Sequence, residues 1–133
     1  MSEENVEIVR AIFKAWEDRD PEAALTRFHP DVEVDMTGAK ASAIDIGSDR
    51  GHDGLGRVIS KFTSAWEDLR WEPEVFIDTG DTVIVWLRAF AKGRESGVPV
   101  NTRFVSVYTF RDGLVTSWRG YDTLAAAAES AGV

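Results

Sequence analysis

The sequence contains no cysteine, fewer basic than acidic residues and no long apolar run, and each absence excludes a class of protein. Without cysteine, the chain cannot form disulfides, bind zinc through thiolates or use a thiol nucleophile. Its 15 Lys and Arg residues against 23 Asp and Glu residues give a formal charge of −8, which argues against nucleic-acid and anionic-membrane partners. No apolar run approaches the ~20 residues of a membrane span, and the acidic amino terminus does not resemble a secretory signal. The sequence therefore predicts a cytoplasmic protein.

Length and composition predict one globular domain. The 133 residues are 44% hydrophobic and 29% charged, which is ordinary for a domain of roughly 100–150 residues. We therefore expect a single domain over residues 1–133. With only two histidines, a metal site would need carboxylates at a spacing that the sequence does not offer, and Gly51-His52-Asp53-Gly54 lacks the lysine and the spacing of a phosphate-binding loop. We predict no metal and no cofactor.

Apolar residues at helical spacing predict two helices near the amino terminus. The spacing i, i+3, i+4, i+7 is occupied by Val9, Ile12, Phe13 and Trp16. This pattern predicts an amphipathic helix over 3–18. Asp20 followed by Pro21 is typical of a helix cap with proline at the first helical position, and predicts a short second helix that buries Phe28 and ends at His29.

The middle of the chain is predicted to form a short strand, a loop and a third helix. Residues 32–35 alternate with period two and predict a strand, whereas the polar stretch 37–50 predicts a mobile loop. An apolar stripe over four turns then consists of Leu55, Val58, Ile59, Phe62, Trp66 and Leu69. This stripe predicts a long helix after Gly51, with Asp53 placed to cap or charge its start.

Period-two patterning dominates the second half of the chain. Four predicted strands cover 71–77, 82–92, 98–110 and 114–121. Asp112-Gly113 predicts a tight hairpin turn, and the alanine run 125–128 predicts a final helix that stops at Gly132. Because the helices are separated in sequence from a run of strands, we predict an α+β fold in which a curved antiparallel sheet wraps the three leading helices.

Five short motifs, taken in order, identify a family resemblance. They are Phe28-His29-Pro30-Asp31-Val32-Glu33, Gly51-His52-Asp53-Gly54, Ser96-Gly97-Val98, Tyr108-Thr109-Phe110-Arg111-Asp112-Gly113, and Trp118 with Tyr121. With these motifs the chain resembles SnoaL-like proteins of the nuclear transport factor 2-like superfamily, from about Glu3 to Gly132. The resemblance implies a cone with an internal pocket at its open end, a short closing helix and dimerisation through the sheet. It implies no single reaction, because the superfamily includes isomerases, cyclases, hydrolases, dehydratases and noncatalytic binding modules.

Three residues are candidates for acid–base chemistry. The resemblance implies an essential carboxylate at the position of Ser106, whose hydroxyl can donate a hydrogen bond but cannot act alone as a base. Asp35 matches, within one residue, a second carboxylate of ketosteroid isomerase-like members. Aromatic walls would raise the pKa of Asp35 by desolvation towards a range useful for a general base; alternatively Asp35 faces water at the end of its strand. His52 lies near the mouth of the resembled cone and is either an acid or base, or a solvated residue at a helix start.

Aromatic residues are the candidates for a ligand-binding wall, and the predicted set is Phe13, Trp16, Phe62, Trp66, Phe104, Tyr108 and Trp118. Rings around a concave sheet form flat apolar walls for a cyclic or aromatic ligand, or they fill the core. The resemblance implies that Trp118 and Ser106 line the cavity. Arg88 faces either inward, towards a carboxylate or an anionic ligand, or outward to solvent, because a register slip of one residue would invert it.

The predicted function is binding of a small, apolar or aromatic molecule, with isomerase, cyclase or hydratase chemistry by acid–base groups. The alternatives are a noncatalytic binding module and a dimeric assembly domain. A cavity below roughly 300 Å³ would favour a structural role, in which the rings fill the cone or the sheet surface serves assembly. Val105 and Val107 lie on the same face of the 98–110 strand, where they would be half exposed in a monomer. This pair predicts a homodimer that packs sheet against sheet.

Overall fold

The computed structural model describes residues 2–39 and 47–132, which form four helices and six strands. The helices are α1 (Ser2–Glu17), α2 (Pro21–Leu25), α3 (Gly51–Ala65) and α4 (Leu124–Ser130). The strands are β1 (Phe28–Gly38), β2 (Ser48–Arg50), β3 (Trp66–Asp78), β4 (Thr82–Gly93), β5 (Pro99–Arg111) and β6 (Leu114–Tyr121). The predicted α+β class is confirmed.

The six strands form one curved, open sheet in the order β2-β1-β6-β5-β4-β3. Every neighbouring pair is antiparallel except β1 and β6, which run parallel. The sheet is therefore mixed rather than antiparallel throughout. The reason is that the hairpin-connected strands β3 to β6 return the chain beside β1 in the same direction.

Helices cover both faces of the sheet. The inner face packs against α1 and α3, and its largest fully buried side chains include Trp118, Tyr108, Phe28, Leu87 and Val34. On the outer face, α4 contributes Ala127 to a smaller cluster with Ile84, Val105 and Val107. Val105 is 0% exposed and Val107 is 3% exposed, so the expectation that they are half exposed in a monomer is wrong. The final helix covers them.

The second helix ends earlier than its sequence pattern predicts. Asp20 caps α2, since its side chain accepts a hydrogen bond of 3.1 Å from the Ala23 amide. The helix ends at Leu25, and Phe28 already belongs to β1. Pro30 is tolerated inside this strand because the pairing of β1 with β6 shifts register between positions 28 and 33.

The third helix also ends before the predicted residue. Trp66 has extended backbone angles and pairs with Gly93 as the first residue of β3, so it and Leu69 lie in a strand. Their helical spacing after Phe62 predicted that the helix continues, but pairing with β4 overrides this local pattern. Long-range strand pairing decides this boundary.

The predicted loop over 37–50 contains the short strand β2, and residues 40–46 of that loop lie outside the described residues. Asp49 of β2 binds Arg57 of α3 through two hydrogen bonds, of 2.7 and 2.8 Å. This guanidinium holds the pKa of the Asp49 carboxyl well below its usual range. Gly54 leaves room for the pair, because a Cβ there would lie 2.6 Å from Asp49 Oδ1. The contact fixes β2 against α3.

Two local signals at the carboxyl-terminal end are confirmed. Asp112 and Gly113 both have positive φ, of 53° and 80°, as the predicted tight turn between β5 and β6 requires. Thr123 caps α4, since its Oγ1 accepts a hydrogen bond of 3.1 Å from the Ala126 amide. The short closing helix is therefore specified by its own cap and by its contact with the sheet.

Candidate functional site

A cavity of about 910 Å³ opens where the ends of the three leading helices meet the edge strand β3. Its lining consists of Phe13, Trp16, Glu17, Arg19, Pro21, Ile59, Phe62, Thr63, Asp68, Leu69, Arg70, Trp71, Glu72 and Pro73. The volume lies within the roughly 300–1,000 Å³ that is usual for small-molecule sites. The cavity is therefore larger than the roughly 300 Å³ below which a purely structural role would have been favoured.

Helical spacing and strand alternation supply the aromatic part of this lining. Phe13 and Trp16 are separated by three residues on α1, and Ile59 and Phe62 by three on α3, so each pair lies on one helix face. Trp71 comes from β3 and packs edge-on against Phe62, with ring centroids 5.4 Å apart. Together they form flat apolar walls.

The rim of the cavity contains two residues with left-handed backbone conformation. Arg19 (φ 57°) follows the carboxyl end of α1, and its amide donates a hydrogen bond of 3.1 Å to the Trp16 carbonyl. Asp68 (φ 55°) lies where the pairing of β3 with β4 shifts register, between Glu67 and Arg70. Such a bulge redirects the side chains that follow it. The bulge in β3 thus lies just before Trp71, whose side chain lines the cavity.

A series of aromatic rings extends from the wall of the cavity into the interior of the cone. We call Phe62, Trp71, Trp118, Tyr108 and Phe13 the aromatic stack, because each ring contacts the next. The centroid distances along it are 5.4, 6.3, 6.1 and 6.4 Å. Trp118 and Tyr108 lie parallel, with an angle of 12° between their planes. The stack connects the cavity wall at Trp71 to the centre of the core.

The predicted aromatic wall is divided between the cavity and the core. Phe13, Trp16 and Phe62 of the predicted set line the cavity. The other members of the predicted set, which are outside the lining, are Trp66, Phe104, Tyr108 and Trp118. Sequence reasoning missed Ile59, Leu69 and Trp71, because it assigned the first two only to a core stripe and the bulge at position 68 left no periodic signal for Trp71.

Ser106 and Tyr108 form a buried polar pair on the inner face of β5. Each is 1% exposed, and Ser106 hydrogen-bonds to the Tyr108 hydroxyl. Burial raises the pKa of Tyr108 above its usual range, against the opposing effect of the Ser106 hydrogen bond. Tyr108 is therefore a neutral hydrogen-bonding group at pH 7. The pair lies within the core and not in the lining of the cavity.

Asp35 lies on the outer face of the sheet. It stands opposite Arg119 of β6 and Ser48 of β2, while its neighbours Val34 and Met36 point into the core. Its Oδ1 accepts hydrogen bonds from the Thr37 hydroxyl at 2.6 Å and the Thr37 amide at 3.0 Å. The hydroxyl hydrogen bond is the main cause of a lowered pKa for Asp35, which is opposite to the direction that we expected.

His52 lies in the first turn of α3, whereas the cavity is lined by residues 59, 62 and 63 towards the other end of that helix. Its Nε2 hydrogen-bonds to the Phe28 carbonyl at 2.9 Å, so this nitrogen acts as the donor. The structure therefore does not bring Asp35, His52 and Ser106 together. They occupy the outer face, the start of α3 and the core.

Arg88 faces outward, which resolves the two alternatives left by the sequence. It shares the outer face with Trp86 and Phe90, and its guanidinium lies 5.9 Å from the Phe90 ring centroid. It is half-buried, its Nε lacks a hydrogen-bond partner, and it makes no ion pair with a described residue. Arg103 stands directly opposite it on β5.

Residues 2–39 and 47–132 contain neither a membrane-spanning helix nor a metal-binding cluster. No helix there is long and apolar enough to cross a membrane. In the same ranges, no group of three or more His, Cys, Asp or Glu side chains is arranged to hold a metal ion.

The cone and its cavity define the protein as a nuclear transport factor 2-like α+β fold. The SnoaL-like domain model matches residues 9–118, which is most of the chain, so this chain belongs to the SnoaL-like family. The resemblance seen in the sequence is thereby confirmed. No functionally curated protein sequence matches the chain.

Solved structures support the same fold. TerC co-crystallised with polyporic acid superimposes with a TM-score of 0.80, at 28% sequence identity over 95% of this chain and 96% of TerC. An NTF2-like protein of unknown function from Burkholderia pseudomallei has a TM-score of 0.81 at 22% identity, with 95% of each chain covered. A Mycobacterium tuberculosis protein in complex with estradiol-17beta-hemisuccinate has a TM-score of 0.73 at 20% identity, over 90% of this chain and 94% of that protein.

Proposed function

We propose that this protein binds a small, flat and largely apolar ring molecule in the cavity between the helix ends and β3. The observation that carries the proposal is a cavity of about 910 Å³ whose walls include the rings of Trp16, Phe62 and Trp71. Aromatic walls favour flat ligands because ring faces and edges attract one another beyond the effect of area alone. The ligands bound to TerC and to the M. tuberculosis protein support the assignment.

Binding accounts for the geometry better than acid–base catalysis does. Asp35 and His52 lie away from the cavity, and Ser106 lies in the core behind the aromatic stack. A general base must lie within hydrogen-bond reach of the proton that it removes, directly or through one water. These three groups are therefore not placed to act on a molecule in the cavity, and we propose binding alone.

Filling the cavity from its rim is expected to weaken ligand binding without unfolding the protein. Thr63 is exposed on α3 and lines the cavity, so Thr63→Trp would place an indole in the opening. We expect at least a 10-fold loss of affinity for any aromatic compound that binds the wild-type protein. Native mass spectrometry with a panel of two- to four-ring compounds would identify such ligands and measure the loss.

Ser64→Trp is the matched control, because Ser64 is also exposed on α3 but does not line the cavity. It should bind as the wild type does. If no compound in the panel binds, or if Thr63→Trp and Ser64→Trp bind equally well, the cavity is not the ligand site.

We further propose a homodimer through the part of the outer face that α4 leaves open. Val75 is 49% exposed there, and it stands opposite the half-buried Trp86. Arg88 and Phe90 continue the same face along β4, and the half-buried Arg88 has an Nε without a hydrogen-bond partner among the described residues. A second copy related by a two-fold axis would bury both the apolar side chains and this charge.

A charge at position 75 is expected to disrupt the dimer. Val75→Glu would bury a carboxylate among apolar side chains of the interface, and we expect the sedimentation mass to fall from dimer to monomer at micromolar protein. Val98→Glu provides the comparison, since Val98 is 56% exposed but lies in the loop between β4 and β5. A wild-type protein that sediments as a monomer, or a Val75→Glu variant that stays dimeric, would exclude this interface.

A further inference from the structure

The open part of the outer face carries a surplus of positive charge, although the chain as a whole has a formal charge of −8. In this part, Arg88 of β4 stands opposite Glu72 of β3 and Arg103 of β5. Farther along the face, Lys92 and Glu67 oppose each other and add no net charge. The charged side chains around the rings of Trp86 and Phe90 are Arg70, Glu72, Glu74, Arg88 and Arg103. Three guanidinium groups against two carboxylates therefore leave one positive charge in each copy.

Both of these carboxylates are already engaged within the same copy. Arg70 Nε lies 3.1 Å from Glu72 Oε1, and Arg103 Nε lies 3.1 Å from Glu74 Oε1. The second pair joins β5 to β3 and therefore crosses over β4, where Arg88 stands. Arg88 itself makes no ion pair with a described residue. An exchange of partners between two copies would only leave a different guanidinium unpaired.

In a single copy, water compensates the charge of Arg88. Its Nε is the only nitrogen of this side chain that is buried without a partner, so the two Nη groups remain open to water. A second copy packed on this face would remove that water, and a charge taken out of water is costly unless an opposite charge is supplied. A two-fold axis brings the same residues from both copies together. The interface would then hold two surplus positive charges that neither copy can neutralise.

We propose that a small dianionic oxyanion, of which inorganic phosphate is the simplest example, binds between the Arg88 guanidinium groups of the two copies. Guanidinium groups match oxyanions through two parallel N–H···O hydrogen bonds, and a dianion balances both surplus charges. Because the anion binds the dimer and not the single copy, its concentration sets how much dimer forms. The inference rests on the proposed homodimer, since the site exists only where two copies meet.

Sedimentation equilibrium in three sodium salts of equal ionic strength tests this link. At mildly alkaline pH, where phosphate is a dianion, we expect phosphate to lower the dissociation constant of the dimer about 10-fold relative to chloride, which is the size of one charge-assisted hydrogen bond. Acetate has the paired oxygens of an oxyanion but only one negative charge, so it should have a much smaller effect. An effect of acetate equal to that of phosphate would contradict the assignment of a dianion.

A variant at position 88 provides the second measurement. Arg88→Met keeps a long apolar side chain and removes the charge, so its dimer should be tighter than the wild type in chloride and insensitive to phosphate. Arg111→Met is the matched control, because Arg111 is exposed at the far end of β5, and it should respond to phosphate as the wild type does.

The possible results separate the anion site from the homodimer. If the wild-type dimer has the same dissociation constant in phosphate and in chloride, the anion site is wrong and the homodimer remains. If phosphate strengthens the Arg88→Met dimer as much as the wild type, phosphate acts elsewhere and the site is again wrong. A wild-type protein that is monomeric in all three salts would exclude the homodimer and the anion site together.

Discussion

Replacing Trp118 with alanine is expected to lower the free energy of unfolding by about 3–5 kcal/mol. The side chain is 2% exposed and contacts the rings of Phe28, Trp71 and Tyr108. Alanine would remove these contacts and leave a void that the surrounding rings fill only in part. Urea unfolding monitored by far-ultraviolet circular dichroism would measure the loss.

Trp118→Phe provides an intermediate case, because it retains part of the ring contact. Its free energy of unfolding should lie between those of the wild type and the alanine variant. Val98→Ala serves as the surface control, since Val98 is 56% exposed and its truncation is expected to change stability by less than about 0.5 kcal/mol. A Trp118→Ala variant with nearly wild-type stability would show that the aromatic stack does not hold the core together.

Gly38→Ala is expected to destabilise the protein by about 1–3 kcal/mol, the usual range for overpacking. A Cβ at Gly38 would lie 2.6 Å from the Gly120 carbonyl oxygen and 3.0 Å from Tyr121 Cδ1. The first of these contacts involves backbone that is held between β1 and β5, so it cannot move aside as a flexible side chain would. Thermal or urea unfolding would measure the effect.

Gly56→Ala is a matched control for this substitution. Gly56 lies inside α3, and a Cβ there would meet no atom within 4 Å. Because alanine is the better helix former, this variant should gain about 0.5–1 kcal/mol. The two glycine-to-alanine changes are thus expected to have opposite signs. A destabilisation of similar size in both would show that the close approach of β1 and β6 is unimportant.

Local sequence patterns were sufficient for most of the fold, and they failed where distant strands determine the structure. The stripe beginning at Val9 and the Asp112-Gly113 turn each depend on neighbouring residues, and both were predicted correctly. The helix predicted through Trp66 and Leu69 ended early because β4 pairs with that segment. Likewise, the parallel contact of β1 with β6 joins residues 83 to 87 positions apart, and periodicity contains no information about it.

The cavity was harder to predict than the fold. Phe13, Trp16 and Phe62 were found because their helix faces must point towards the sheet. Trp71 was not, because its direction depends on a bulge at Asp68 whose left-handed backbone angle leaves no recognisable mark in the sequence. Asp35 shows a similar dependence on register: it takes the outward alternative that the sequence left open, and a shift of one position would move it to the other face.

Because of the position of the cavity, substitutions that change ligand binding are separate from substitutions that change core stability. Its walls come from helix ends and from an edge strand, whereas the most deeply enclosed rings, Trp118 and Tyr108, stand behind them. Substitutions at the mouth of the cavity, for example at Thr63, therefore change which ligands the cavity accepts and leave the packing of the core intact. Relatives with this architecture can therefore differ in the ligand that they bind while their free energy of unfolding stays the same.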